Sequence, residues 1–435
     1  MALVLLPGVA LTAGGEVSSR APMDQTAAQE ARQTQTTAQD AYTLPPDKLA
    51  KAEALSRIRV VLGFAGTLWY FVFFWLLLAT RMVARLGYWA QRVTARRWLE
   101  GLLFFGVLIV AFTLAGLPLD VYGHNVSLEY GISVQGWWSW LGDAAKGLGL
   151  SLAIGAPVLL LFNWVVFRWP RRYWLVGWAV AVPLTVLGAF AAPLLDPVFN
   201  KFEPLEKSNP ALVAQLEKVV ARTGTDIPVD RMYLMKASAK TNGLNAYVTG
   251  VGATKRVVVW DTTAGRIPND EILFIFAHES GHYVLHHIPL GLTASAVGTF
   301  LLFWVCAGVA RWVVRRWGPR WDVFAIPSRP GFVVLLLTLS VASFVTEPVS
   351  NAFSRHIEHQ ADVYGQEAIH GIVADPQKTT VAAFNALGAA WLEDPHPNRF
   401  LVFWAYSHPS IQSRATFAAH YDPWADGGHG EFFKQ

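Results

Sequence analysis

The stretch FAHESGHYVLHH, residues 276–287, concentrates side chains that hold metals and move protons. Its HESGH segment fits the HExxH pattern. Four residues make just over one helical turn, so His278 and His282 fall on one face, ~6 Å apart along the axis. Two imidazoles so placed can share one tetrahedral Zn2+, giving one ion per chain. Glu279, the next residue round, can reach a water held at that ion and act as general base. The ion would lower the water's pKa to about 7 and polarise a scissile carbonyl, which is the chemistry of peptide-bond hydrolysis. His286 shares this face, but eight residues rise ~12 Å, so His278 and His286 cannot grip one ion. Pairing His282 with His286 would put Tyr283 in the base's place. His286 and His287 therefore read as interfacial residues or supports behind the ligands.

A catalytic zinc usually has three protein ligands and one open position. The HExxHxxGxxH pattern requires Gly and His where this chain has Leu285 and Ile288. An LDG segment after the motif, the source of the late aspartate in intramembrane zinc proteases, is also missing, because LLDP at 194 comes too early. What remains is a carboxylate on a second helix, and NAFSRHIEHQAD, residues 351–362, supplies it. Asn351, Glu358 and Asp362 are spaced i, i+7 and i+11 and share one helical face. Glu358 is the candidate third ligand, with His356 and His359 as alternatives that point elsewhere. Asp362, one turn on, can orient a ligand histidine through its free ring N–H. Asn351 is a second candidate support. Taken alone, these residues would read as a solvated face beside Arg355.

These side chains need scaffolding. The block before the motif reads as soluble. NPALVAQLEKVVARTG has helical apolar spacing, with Asn209 as N-cap, Pro210 in the first turn and Gly224 as C-cap. VDRMYLM, LNAYVTG and KRVVVWDTT read as strands. Asn269 is placed to cap the helix that carries HESGH, and Asp270 and Glu271 suit its positive end.

The rest of the chain is greasy. Hydrophobic residues make up 53% and charged residues 15%, against roughly 25% charged in a typical soluble domain. Uncharged runs long enough to cross a bilayer lie between Arg59 and Arg81, Glu100 and Asp120, Lys146 and Arg168, and Arg172 and Asp196. Two more run from Ile288 to Ala310 and from Pro330 to Thr346, giving six expected transmembrane helices. The single cysteine, Cys306, lies inside a span, which excludes a disulfide framework and a cysteine metal site. The net charge of +4 does not indicate nucleic acid, because the arginines flank the spans. Residues 1–47 read as an apolar, signal-like stub followed by a disordered lead-in. Residues 48–198 read as four spans, 199–287 as the soluble α/β block, 288–354 as two more spans, and 355–435 as the third-ligand helix with the rest of the zinc domain.

HESGHYVLHH, NAFSRHIEHQAD and YSHPSIQSR together resemble the three signatures of the type I CAAX prenyl endopeptidases, membrane-embedded gluzincin zinc peptidases. The resemblance extends through GLNAYVTGVGATKRVVVWDTT and covers roughly residues 48 to 420. It implies a mainly α membrane protein of about six or seven transmembrane helices around a water-filled chamber, closed by a small α/β gluzincin-like zinc domain. It implies zinc on His278, His282 and Glu358, and Glu279 as catalytic base. Asn245, Ala246 and Tyr247 would form an edge strand to which substrate adds. His408 and Arg414 would stabilise the oxyanion or hold the site together. Substrates would be peptides or lipid-modified proteins, with membrane lipid around the spans.

Sidedness is a separate expectation. The segments 81–97, 168–172 and 311–329 hold thirteen Arg, whereas the opposite flanks, 48–59 and 120–147, hold five Lys or Arg. The positive-inside rule then puts the zinc domain on the far side, periplasmic in a bacterial inner membrane. Three functions compete: a CAAX-type endopeptidase, a quality-control membrane protease, and a transporter or scaffold with a degenerate metal site.

Overall fold

The computed structural model describes residues 41–250 and 252–434. The apolar stub at residues 1–13 and most of the expected lead-in lie outside the described residues. Among the described residues, six helices are long and apolar enough to cross a membrane. They are α1 (Pro46–Ala79), α3 (Arg97–Glu129), the joined pair α4 (Trp137–Leu150) and α5 (Ala156–Arg168), α6 (Tyr173–Phe199), α11 (His287–Trp321) and α12 (Arg329–Ala368). A π-helical turn, Ser151–Gly155, joins α4 to α5. A short amphipathic helix, α2 (Met82–Val93), was not anticipated. It buries Val83, Ala84, Gly87 and Ala90 and leaves Met82, Tyr88 and Trp89 exposed.

The spans pack through an aromatic and aliphatic core that includes Phe104, Phe105, Leu159, Phe162 and Val333. Helices α1, α3, α4 and α12 border a cavity of about 990 Å3. Its wall carries Arg59, Asp120, His124, Asp143 and Glu347 beside apolar residues, and runs along α12 as far as Ser350. Charged side chains at this depth fit a hydrated space and not lipid.

The soluble α/β block is built on a four-stranded sheet in the order β1-β2-β4-β3. Its strands are β1 (Phe202–Pro204), β2 (Met232–Met235), β3 (Ala246–Thr249) and β4 (Arg256–Trp260). β2 and β4 run parallel, and β3 pairs antiparallel with β4. β3 is therefore an edge. Between β1 and β2 lie the one-turn α7 (Leu205–Ser208) and α8 (Pro210–Thr223). The caps of α8 stand as expected: the Asn209 side chain accepts from the Leu212 N–H at 3.1 Å, and Gly224 takes φ 64°. After β4 come the one-turn α9 (Asp261–Ala264) and α10 (Asn269–Val284), which bears the HESGH segment.

Two local expectations change. Asn269 is the first residue of α10 and does not cap it; Pro268 holds the N-cap position without a side-chain bond. Tyr42, assigned from sequence to a disordered lead-in, is buried in the zinc-domain core. Its N–H donates to Gln412 Oε1 at 2.9 Å and its hydroxyl to the Glu393 carbonyl at 3.0 Å. Composition around it is polar, but one aromatic side chain is enough to anchor a short segment. The chain closes with α13 (Pro376–Trp391), α14 (Arg399–Ala405) and α15 (Ile411–His420).

Candidate metal centre

Helices α10 and α12 cross at the site, and two glycines let them approach. A Cβ on Gly365 would fall 2.9 Å from the His278 backbone nitrogen, and one on Gly281 would fall 3.0 Å from the Tyr364 ring. At 40 residues, α12 is ~60 Å long, twice the ~30 Å hydrocarbon core. One continuous helix thus carries both the last span and Glu358. It crosses the boundary that the sequence reading drew between residues 354 and 355.

The structure brings His278, His282 and Glu358 together, with one ligand atom from each within 4.8 Å of the others. The two Nε2 atoms are 3.3 Å apart. Glu358 Oε2 lies 3.3 Å from His278 Nε2, and Glu358 Oε1 lies 3.7 Å from His282 Nε2. Tetrahedral ligands at ~2.0–2.1 Å from a zinc ion stand roughly 3.3 Å apart, so the set fits such an ion. Glu358 Oε2 is buried with two ring nitrogens, those of His278 and His408, each 3.3 Å away, a cluster of lone-pair donors that a cation would share.

Behind the ligands, Asp362 Oδ1 stands 2.9 Å from His278 Nδ1. Arg414 grips Asp362 with both arms, Nε to Oδ2 at 2.9 Å and Nη2 to Oδ1 at 2.6 Å, and lies over the Phe384 ring. Arg414, for which the resemblance implies either oxyanion stabilisation or a hold on the site, thus faces Asp362. Asn351 shares the face of Glu358 but contacts no ligand; it donates to the Trp404 carbonyl at 2.6 Å. Arg355, read from sequence as solvated, donates to the carbonyls of Val402 and Tyr406. Together they pin α14 and the following turn to α12. That turn carries His408, whose Nε2 lies 3.3 Å from Glu358 Oε2 while its side chain stays largely exposed.

Electrostatics divide the two histidines. Burial alone would depress His278, but the Asp362 and Glu358 carboxylates outweigh it and raise the ring to about 9. Burial, with the charge on His278, lowers His282 to about 4. Without metal, His278 therefore carries the additional proton of an imidazolium while His282 stays neutral, and a divalent cation would displace that proton. Burial pushes the Glu279 carboxyl above the ordinary carboxylate range, partly offset by His278.

Beside Glu279 runs β3. The Trp260 N–H donates to the Asn245 carbonyl at 3.1 Å, which sets the phase of the ladder. Main-chain groups of Asn245 and Tyr247 consequently turn toward β4, and those of Ala246 and Val248 face the open edge. The Val248 N–H is directed at the Glu279 carboxylate. The Asn245 N–H is taken by Thr263 Oγ1 at 2.8 Å, and the Tyr247 hydroxyl reaches Asp196 Oδ2 at 3.4 Å. Of the three strand residues singled out from sequence, only Ala246 offers its backbone outward. Val248 joins it, a residue that a motif cannot mark because register decides it.

Membrane spans joined to a His-His-Glu centre beside a sheet edge define the class of membrane-embedded metallopeptidases. Residues 206–422 match peptidase family M48, and residues 27–201 match the CAAX prenyl protease N-terminal region of five membrane helices. The chain is 35% identical over 392 residues to the uncharacterized metalloprotease YhfN of Bacillus subtilis, with 88% of each chain covered. It is 29% identical over 336 residues to CAAX prenyl protease 1 of Saccharomyces cerevisiae, covering 73% of this chain and 71% of that one. The crystal structure of S. mikatae Ste24p superposes with a TM-score of 0.72 over 90% of this chain and 96% of that one, at 23% identity, which speaks for the fold. The chain belongs to peptidase family M48, among the type I CAAX prenyl proteases. It is an integral-membrane metalloprotease.

Proposed function

We propose that the protein is a zinc endopeptidase that cuts extended polypeptide at the open edge of β3, with His278, His282 and Glu358 holding the metal. The observation that carries this reading is the convergence of three ligand atoms from two helices within 4.8 Å. Zinc bound there would acidify a water and polarise the scissile carbonyl. The chain's own residues supply the rest. The main-chain N–H and carbonyl of Ala246 and the carbonyl of Val248 bind a substrate segment as an added strand. Glu279 takes the proton of the attacking water and returns it to the leaving amine. His408, exposed beside Glu358, donates to the carbonyl oxygen as negative charge builds on it. Asp362, held by Arg414, keeps the His278 ring turned with Nε2 toward the ion.

The names of the relatives suggest a prenylated CAAX tail as substrate. The arginine asymmetry favours a second reading, in which the zinc domain faces the periplasm of a bacterial inner membrane and the substrates are unfolded membrane-associated polypeptides, as in a quality-control protease. Glu279→Gln tests the enzyme reading in both forms. It should keep one zinc per chain and lose 10²-fold or more of its cleavage rate on an unstructured reporter peptide. Cleavage at the parent rate would refute the role of Glu279, and zinc binding by a parent protein that cleaves nothing would instead support a scaffold with an idle metal.

A further inference from the structure

We propose that Gln360 and His287 form a hydrogen-bond relay that fixes the ring of His282 with its Nε2 bare. This makes both of them positioning residues for the metal. The proposal rests on the reading of His282 as a ligand. His287 Nδ1 lies 3.1 Å from His282 Nδ1, and His287 Nε2 lies 3.2 Å from Gln360 Oε1. His287 is buried, so solvent does not substitute for these partners.

The contact exists because the chain breaks between α10 and α11. In an unbroken helix, residues five apart lie about 140° round the axis and cannot face each other. Here His286 takes φ 57°, the left-handed region that non-glycine residues seldom enter. The turn folds His287 back over the last turn of α10, where it meets His282.

Hydrogen-bond direction runs one way along the relay. Gln360 Oε1 can only accept, so His287 Nε2 carries the hydrogen and its Nδ1 keeps a lone pair. That lone pair accepts from His282 Nδ1–H. His282 Nε2 is then left unprotonated, and it faces His278 Nε2 at 3.3 Å. Reversing the Gln360 amide would put a hydrogen on His287 Nδ1 and, through it, on His282 Nε2, where it excludes a metal. The two ligand histidines therefore have different supports: a carboxylate with an arginine behind His278, and a neutral chain of imidazole and amide behind His282. Three positions within five residues of α12 serve the site, Glu358 directly, Asp362 through His278 and Gln360 through His287.

The test uses the full-length protein in detergent, with zinc affinity measured by competition against a chromophoric chelator. The visible spectrum of the cobalt-substituted protein reports ligand geometry. Gln360→Met and His287→Leu should each weaken zinc at least ~10-fold and shift the cobalt bands. Gln360→Glu and His287→Asn, which keep an acceptor at the same place, should retain parent-like affinity and bands. Thermal unfolding of the metal-free variants separates this effect from a general loss of fold, and the Gln360 pair decides the matter should His287→Leu fail to fold. Parent-like affinity and spectra in Gln360→Met and His287→Leu, with His282→Ala having lost the metal, would overturn the relay. Full zinc binding by His282→Ala would instead remove the ligand reading on which the relay rests.

Discussion

Asp362 and Arg414 are nearly buried, with side chains 3% and 12% exposed. A charge pair removed from water is costly to break, because the survivor stays buried and uncompensated. Arg414→Met should therefore lower stability by about 3–5 kcal/mol, read as a fall in the thermal midpoint of the metal-free protein. Arg414→Lys should recover only part of the loss, since an ammonium cannot reproduce the two-armed grip. The i, i+4 histidines and the carboxylate at 358 were legible in the sequence, because helical spacing alone brings such side chains to one face. The contacts made by Arg414, Arg355 and Gln360 were not. Each joins elements far apart in the chain or across a helix break, and no local period encodes them.

Among the elements, α10 and α12 meet most closely at Gly365. The atoms that a Cβ would strike belong to the His278 main chain, which cannot swing aside. Gly365→Ala should separate the helices and reduce zinc occupancy and cleavage together. Gly281→Ala meets the Tyr364 ring at 3.0 Å and its Cβ at 3.2 Å, side-chain and not main-chain atoms, and should do less harm; equal zinc content in the two variants would contradict this. All six membrane-length helices could be read from the sequence, because ~20 apolar residues without charge leave few other structures open. β1 has three residues and no pattern of its own. It exists through pairing with β2, which only tertiary structure supplies. α2 was hidden for a different reason: its arginines read as loop, while its small residues, Ala84, Gly87 and Ala90, seat it against neighbouring helices.

At the scale of the molecule, the six membrane-length helices among the described residues bring the end of α12 back to the side on which α1 begins. The N-terminal flank of α1 is tied to the zinc domain by Tyr42 and by Asn385, which donates to the Ala41 carbonyl at 2.8 Å. The arginine-rich turns all fall at the other end. A reporter fused after Gln435 should thus be active only outside the cytoplasm if the arginine bias sets the orientation; activity confined to the cytoplasm would reverse it. A metal held by the proposed ligands would also bear on the whole fold, since they come from separate helices. Stripping zinc with a chelator should lower the thermal midpoint, and restoring zinc should raise it again in proportion to occupancy. Finally, a sheet edge meets its guest through amide groups, which nearly every residue possesses. Cleavage at the edge of β3, as proposed, would be indifferent to charge and bulk and attentive to looseness: helices and folded domains offer no spare amides, whereas slack chain does. Proline, lacking the N–H, should be the one residue that spoils a site, and a proline scan through a cleaved peptide would map the ladder from the guest's side.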